Sequence, residues 1–242
     1  MDFTLKTYQR LLNTFKVTRY TFRTFNDFLK ASPSRAIIMR HDVDRRPGNS
    51  LKTARLEHDL GITASYYFRA VPESWDTAII QKIDDLGHEI GYHYENLSLC
   101  GGDLDRACAD FQTNLAKLRN LAPVTTICMH GSPLSKWDNR KLWETYHYRD
   151  FGILAEPYFD VDYSQVFYIT DTGRKWNNEA SSIRDKVNSG FNIPIKSTKH
   201  LIRLAQENKL PDKIMINTHP QRWEDRALPW IKELVWQNVK NV

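Results

Sequence analysis

The run Ala36-Ile37-Ile38-Met39-Arg40-His41-Asp42-Val43-Asp44 decides how this chain is read. Its first four residues are apolar and largely β-branched, and Ser34 and Pro47-Gly48 bound the run, so it reads as a buried strand. A buried strand that ends in a histidine and two carboxylates is doing more than filling a core. In extended backbone Asp42 and Asp44 face the same side of the sheet, and His41 faces the other. Carboxylates held side by side repel unless a cation or a shared proton lies between them. The stretch therefore predicts a metal site with a base beside it. The plainer reading is one aspartate capping the next helix and one in an exposed loop.

On the C-terminal side, Pro47-Gly48 opens a helix near 49–60 that Gly61 closes. A strand follows at 64–68. Beyond Pro72 comes a helix with Ile79, Ile80, Ile83 and Leu86 on one face, ended by Gly87. The strand 88–93 leads to a helix over 103–120, marked by Leu104, Cys108, Phe111, Leu115 and Leu118 at helical spacing. Next come a strand over 124–129, a helix over 137–146 and short strands near 152–155 and 165–170. A further strand is expected at Asn192-Ile193-Pro194-Ile195, with the proline at an edge or end. Ser197 caps a helix to about 208, Lys213–Asn217 reads as the last strand, and a helix over 223–239 turns Ile231, Leu234, Val235 and Val239 inward. Toward the N-terminus, residues 4–30 read as two helices. Tyr8, Leu11, Leu12 and Phe15 mark the first; Phe22, Phe25, Phe28 and Leu29 mark the second. Strand and helix alternate about seven times without a Gly/Ser-rich linker, which gives one α/β domain with a parallel sheet, barrelled or open.

The length of 242 residues suits one such domain. No apolar window of about 18 residues exists, so no membrane insertion is expected. The start Met1-Asp2-Phe3-Thr4-Leu5-Lys6 has neither the basic head nor the apolar centre of a secretion signal, and sets the expectation of a cytoplasmic protein. A net charge of +5, spread among acids rather than blocked, argues against a nucleic-acid partner and suits an anionic or nucleotide-linked substrate. Cys100, Cys108 and Cys128 lack metal-finger spacing and read as reduced thiols.

In parallel α/β folds the active site lies at the carboxyl ends of the strands. Asp42 and Asp44 end one apolar run, His93 another, His130 a third and His219 the last. His58, His147 and His200 sit on polar helical or loop stretches, and His41 and His88 should face the opposite side of the sheet. Carboxylate and imidazole ligands from separate strands suit a divalent transition metal, zinc first, with iron, cobalt, nickel or manganese as alternatives. Such an ion activates water; a nearby carboxylate takes the proton, and a histidine across the site protonates a leaving amine. The chemistry is hydrolysis of an amide or ester.

These residues give the chain a likeness. With His41-Asp42-Val43-Asp44, then Gly87-His88-Glu89-Ile90-Gly91 leading to His93, then Thr218-His219, it resembles the polysaccharide deacetylase family, the NodB homology domain of carbohydrate esterase family 4. The likeness implies an incomplete or distorted (β/α)7 barrel over 35–220, with 1–34 as a helical extension and 221–242 as a C-terminal helix. It implies Asp42 as catalytic base, Asp44 and His93 as metal ligands and His219 as general acid. The family's second ligand histidine falls on Leu97, and its third motif on His130-Gly131-Ser132-Pro133. His130 is therefore expected to complete the ligand set, with Glu95 as second candidate and loss of a tight site as the remaining alternative.

The expected activity is metal-dependent removal of an N-acetyl or O-acyl group from an acetamido sugar or surface-polysaccharide precursor, at a carbon–nitrogen bond that is not a peptide bond. The alternatives are hydrolysis of a non-sugar amide, or a catalytically silent carbohydrate-binding protein. Tyr94 and Trp137, with Trp143 and Trp176, are candidates for the mouth. Asp171 is expected to orient a catalytic histidine or meet a substrate hydroxyl, and Arg174 and Arg222 to meet a phosphate or carboxylate.

Overall fold

The computed structural model describes residues 1–31, 33–176, 185 and 187–240, and in it seven strands run parallel in one sheet. They are β1 (Thr21–Arg23), β2 (Ala36–Val43), β3 (Ser65–Phe68), β4 (Glu89–Tyr94), β5 (Ile127–Met129), β6 (Phe167–Thr170) and β7 (Lys213–Thr218). The order is β5-β4-β3-β2-β7-β6. β2 is buried along its whole length and long enough to serve three neighbours. Residues Ala36–Ile38 pair with β1, Arg40–Val43 pair with β3, and Ala36–His41 pair with β7. Beyond β5 a single parallel bridge, Thr126 to Ala155, continues the curl. No pairing among the described residues joins that stretch to β6. Counting it, seven positions go round an open ring: the sheet is an incomplete (β/α) barrel.

The helices are α1 (Leu5–Val17), α2 (Phe25–Lys30), α3 (Pro47–Asp59), α4 (Thr77–Asp85), α5 (Asn96–Leu99), α6 (Leu104–Arg119), α7 (Pro157–Asp160), α8 (Thr198–Gln206) and α9 (Ala227–Lys240). Side-chain caps start several of them: Thr4, Asp76, Asp103 and Ser197 each accept the backbone N–H three residues on. α1 lies along α8, and α2 meets the barrel floor, where Phe25 N–H donates to Ser65 Oγ at 2.7 Å and Asn26 N–H to Glu89 Oε2 at 3.0 Å.

Period-two alternation gives the strands an outer and an inner face. Outward, Ile37, Met39, Val43, Tyr66, Ile90, Tyr92, Ile127, Ile214 and Ile216 pack under the helices. His41 is on that side too: its Nε2 is 2.8 Å from Glu57 Oε1 and its Nδ1 2.7 Å from Thr218 Oγ1. Inward, Ile38, Tyr168 and Met215 fill the lower barrel with Phe25, Ala155, Tyr163 and Val166. Above them the inner face turns polar. Gly91 belongs to this face, and a Cβ there would fall on the edge of the Tyr67 ring, which crosses it from β3.

Several expectations are corrected. Phe22 lies in strand β1 rather than a helix, because residues 21–23 pair with the start of β2, Ala36–Ile38, which β3 does not reach. Residues 137–146 form only a 3-10 helix, Asn139–Glu144. The stretch 192–195 is not a strand; Pro194 has no N–H to donate to a ladder. In α9, Ile231 and Val235 are exposed rather than inward. The helix is turned by Glu233, which is buried and holds the Arg45 guanidinium at 2.8 Å. The side chain of Val239 lies outside the described residues. Among the described residues, no helix is long and apolar enough to cross a membrane.

Candidate metal centre and catalytic groups

Asp44 stands just past the end of β2, and three imidazoles converge on its carboxylate. His93 Nε2 from β4 and His130 Nε2 from beyond β5 each lie 3.6 Å from Asp44 Oδ1, and His219 Nε2 from beyond β7 lies 3.8 Å from Oδ2. Each ring is held by its other nitrogen. His93 Nδ1 is 2.9 Å from the Cys128 carbonyl oxygen, an acceptor only, so this nitrogen carries the proton; Asp42 and Asp44 raise the ring's pKa against burial, and in the neutral ring Nε2 is the nitrogen with the free lone pair. His130 Nδ1 is 2.7 Å from Glu95 Oε2 and 3.1 Å from Ser132 Oγ. Burial lowers the His130 pKa despite Glu95 and Asp44, which favours a neutral ring. A histidine whose far nitrogen is bonded to a carbonyl or carboxylate is the usual form of a metal-ligating histidine.

Asp44 Oδ1 is buried and has no hydrogen-bond partner among the described residues. Such an atom normally has one. Ligand atoms of Asp44, His93 and His130 all lie within 4.8 Å of one another. Atoms bonded to one tetrahedral zinc at about 2.0–2.1 Å sit about 3.3–3.4 Å apart, close to the separations to Asp44. One oxygen and two imidazole nitrogens, with the carboxylate oxygen unsatisfied, therefore fit a divalent transition metal. A second grouping, Asp42, His93 and Cys128, meets the same distance limit. It fits a cation poorly, because the Arg40 guanidinium already lies against Asp42.

Arg40 and Asp42, two apart on β2, share the inner face. Arg40 Nε donates to Asp42 Oδ1 at 2.8 Å and Nη2 to Oδ2 at 2.6 Å, and Asn217 Nδ2 from β7 donates to Oδ2 at 2.9 Å. Burial alone would raise the Asp42 carboxyl, but Arg40, with His93 and His219, holds it well below the usual carboxylate range. His219 is fixed by Asp171, whose Oδ1 is 2.6 Å from Nδ1. Asp171 is wholly buried; it also accepts from Arg222 Nη1 at 2.7 Å and Trp223 Nε1 at 2.8 Å. Here too burial opposes ionisation, and Arg222 and His219 overcome it.

No family model matches the sequence, and no curated protein matches it. The fold is like that of solved family 4 carbohydrate esterases. One from Bacillus anthracis aligns at 9% identity over 95% of this chain and 84% of its own, with a TM-score of 0.44. One from Bacillus subtilis aligns at 10% identity over 96% and 84%, TM-score 0.44. A family 4 pseudoenzyme from Bacillus anthracis aligns at 11% identity over 96% and 76%, TM-score 0.47. At these values the likeness is one of overall fold and carries no activity with it.

Of the other anticipated residues, Asp171 meets the first of its two expectations by orienting His219, whereas Tyr94 and Trp176 are placed differently from expectation. Glu95 is the acceptor behind His130, and Arg69 binds its far side at 2.6 Å. His130 and Arg69 outweigh burial and hold the Glu95 carboxyl down to about 2. Leu97 is buried in the core. Tyr94 is not at the mouth: it faces outward on β4, buried against Phe111 and Trp143, since the parity that turns His93 inward turns Tyr94 out. Asp171 serves His219 and has no surface for a substrate hydroxyl. Trp137 is half-buried on Gly102 in the loop that follows His130. Trp176 is buried, donating from Nε1 to Thr198 Oγ1 at 3.0 Å. Arg174 lines a cavity to which Asp44, His93, His130 and His219 do not contribute. Arg40 and Asn217 were missed, although Arg40 carries the same parity as Asp42 and was legible on that ground. Glu156, with no motif around it, gave no signal.

Proposed function

We propose that the chain is a metal-dependent hydrolase that removes an acyl group, N-acetyl first, from an acetamido sugar or surface-polysaccharide precursor. The observation that carries this reading is the unsatisfied Asp44 Oδ1 facing the Nε2 atoms of His93 and His130, with a braced carboxylate and a braced histidine alongside. Asp44, His93 and His130 would hold the ion, zinc first, which when bound supplies a Lewis acid and a water of lowered pKa.

The chain's own groups do the rest. Asp42, ionised and aimed by Arg40 and Asn217, accepts the proton of the attacking water. Arg40 reduces its basicity and fixes its orientation in return. His219, just past the neighbouring strand β7, has its Nε2 3.8 Å from Asp44 Oδ2, and Asp171 supports its imidazolium; it delivers a proton from Nε2 to the leaving nitrogen or oxygen. A base and an acid across one pocket support hydrolysis over a silent binding role. The sugar rests on the motif likeness alone, so substrate choice needs a panel.

The test is metal content of protein purified without added metal, with acetate release from acetamido-sugar oligomers and from small non-sugar amides. One equivalent of a divalent ion, lost in His130→Ala, and acetate from the sugars are expected. Metal retained in full by His130→Ala would overturn the ligand set. No metal in the wild type, but metal bound by Leu97→His, would show a decayed site and remove the hydrolase reading. Release from small amides only would move the substrate off sugars.

A further inference from the structure

Away from the metal centre, a cavity of about 320 Å³ opens between the turn after β6, the start of α8 and the face of α9. Its lining includes Arg174, Lys175, Trp176, Lys196 and Trp230. Arg174 is only 6% exposed. Its Nη1 donates to the Trp230 carbonyl at 3.0 Å, while Nε and Nη2 are buried without a hydrogen-bond partner among the described residues. The guanidinium lies over the Trp230 ring at 4.4 Å. A buried guanidinium with two unused donors in a fork matches the two oxygens of a carboxylate or phosphoryl group.

The nearby acids do not fill that role. Asp2 also lines the cavity, but one oxygen accepts from Thr198 N–H at 2.9 Å and the other from Phe3 N–H at 2.9 Å. Glu233 takes the Arg45 guanidinium with both its oxygens. Lys175 and Lys196 are exposed at the rim. Three cations thus face one engaged carboxylate. Burial lowers the Arg174 pKa, and Glu233, Asp171 and Asp2 do not offset it, consistent with a charge that lacks its counter-ion.

We propose that this cavity is an oxyanion site, in which the incompletely paired Arg174 guanidinium holds a phosphoryl or carboxylate group, Lys175 and Lys196 close over it, and the Trp230 ring flanks it. The site is independent of the hydrolase reading. It does sit on the turn that supports His219, since Arg174 N–H donates to the Asp171 carbonyl oxygen at 2.9 Å.

Isothermal titration of chelator-treated protein with inorganic phosphate, and separately with citrate, at constant ionic strength tests this, with tryptophan fluorescence as a second readout. Chelation removes binding through a metal. Saturable binding of either anion is expected, with the tighter of the two naming the chemistry. Affinity should fall at least tenfold in Arg174→Gln and several-fold in Lys196→Ala, and stay unchanged in Lys199→Ala on the same exposed helix start. Lys196 is at the surface, so that variant speaks even where Arg174→Gln fails to fold. No binding by the wild type, or binding that Lys196→Ala and Lys199→Ala weaken alike, overturns the proposal.

Discussion

Glu156 is the residue whose chemistry is most displaced by its place in the fold. It is wholly buried, accepting Met129 N–H at 3.0 Å and Tyr158 N–H at 2.5 Å, and among the described residues no cation is bonded to it. Burial raises its pKa, those two donors offset only part of the rise, and the carboxyl reaches about 7 from an ordinary 4.5. Below pH 4.5 both folded and unfolded chains hold the proton. Between about 4.5 and 7 the unfolded chain releases it first, so stability falls as pH rises through that window, by about 3 kcal/mol over its full span. Glu156→Gln removes the titration. Urea unfolding should therefore show the variant gaining about 2–3 kcal/mol on the wild type between pH 5 and pH 8. A gap that does not change with pH would refute the assignment. A second residue-level test concerns Asp171. If it serves only to orient His219 and support its charge, Asp171→Asn should lower kcat about 10²–10⁴-fold with KM and metal content little changed. A large rise in KM at unchanged kcat would place Asp171 on the substrate instead.

At the scale of elements, β3 and β4 are fitted to each other through a missing side chain. The Tyr67 ring crosses Gly91 and its hydroxyl pairs with Thr126 Oγ1 at 3.0 Å. Gly91→Ala should cost about 1–3 kcal/mol, the usual range for overpacking, and most of that cost should vanish in a Tyr67→Ala background. Full additivity in thermal or urea unfolding would show that the ring is not the obstacle. The same regularity explains what could be read in advance. Strand parity is set by backbone geometry, so Asp42 with Asp44, and His41 away from them, followed from position alone. The apolar runs marked β2, β3, β4 and β7 because buried parallel strands need them. Tyr94, expected at the mouth after a strand over 88–93, is instead the last residue of β4, and strand parity turns it outward. β1 was misread because three residues are too few to separate period 2 from period 3.6. In α9 the apolar spacing was real, but the Arg45–Glu233 pair, joining residues far apart in sequence, set which face turned in. The meeting of His130 with Asp44 and His93 needed the curl of the whole sheet, which no local pattern encodes.

For the whole molecule, the important fact is where the proposed ligands come from. Asp44 lies just past β2, His93 in β4 and His130 just past β5, so an ion held by them ties together one flank of a barrel that does not close. β4 and β5 pair directly, but β2 reaches β4 through β3. An ion bound to the folded chain alone stabilises it by mass action, about 2.7 kcal/mol at a free concentration one hundred times Kd. For a domain of this length about 2–4 °C accompanies each kcal/mol, so Tm should rise by about 5–10 °C when zinc is added to chelated protein. His130→Ala removes one of three ligands and should abolish most of that rise. Arg174→Gln, outside the ligand set, should leave it intact. If zinc raises Tm equally in the wild type and in His130→Ala, the ion is held elsewhere, and the convergence on Asp44 is a hydrogen-bonding arrangement with no cation at its centre.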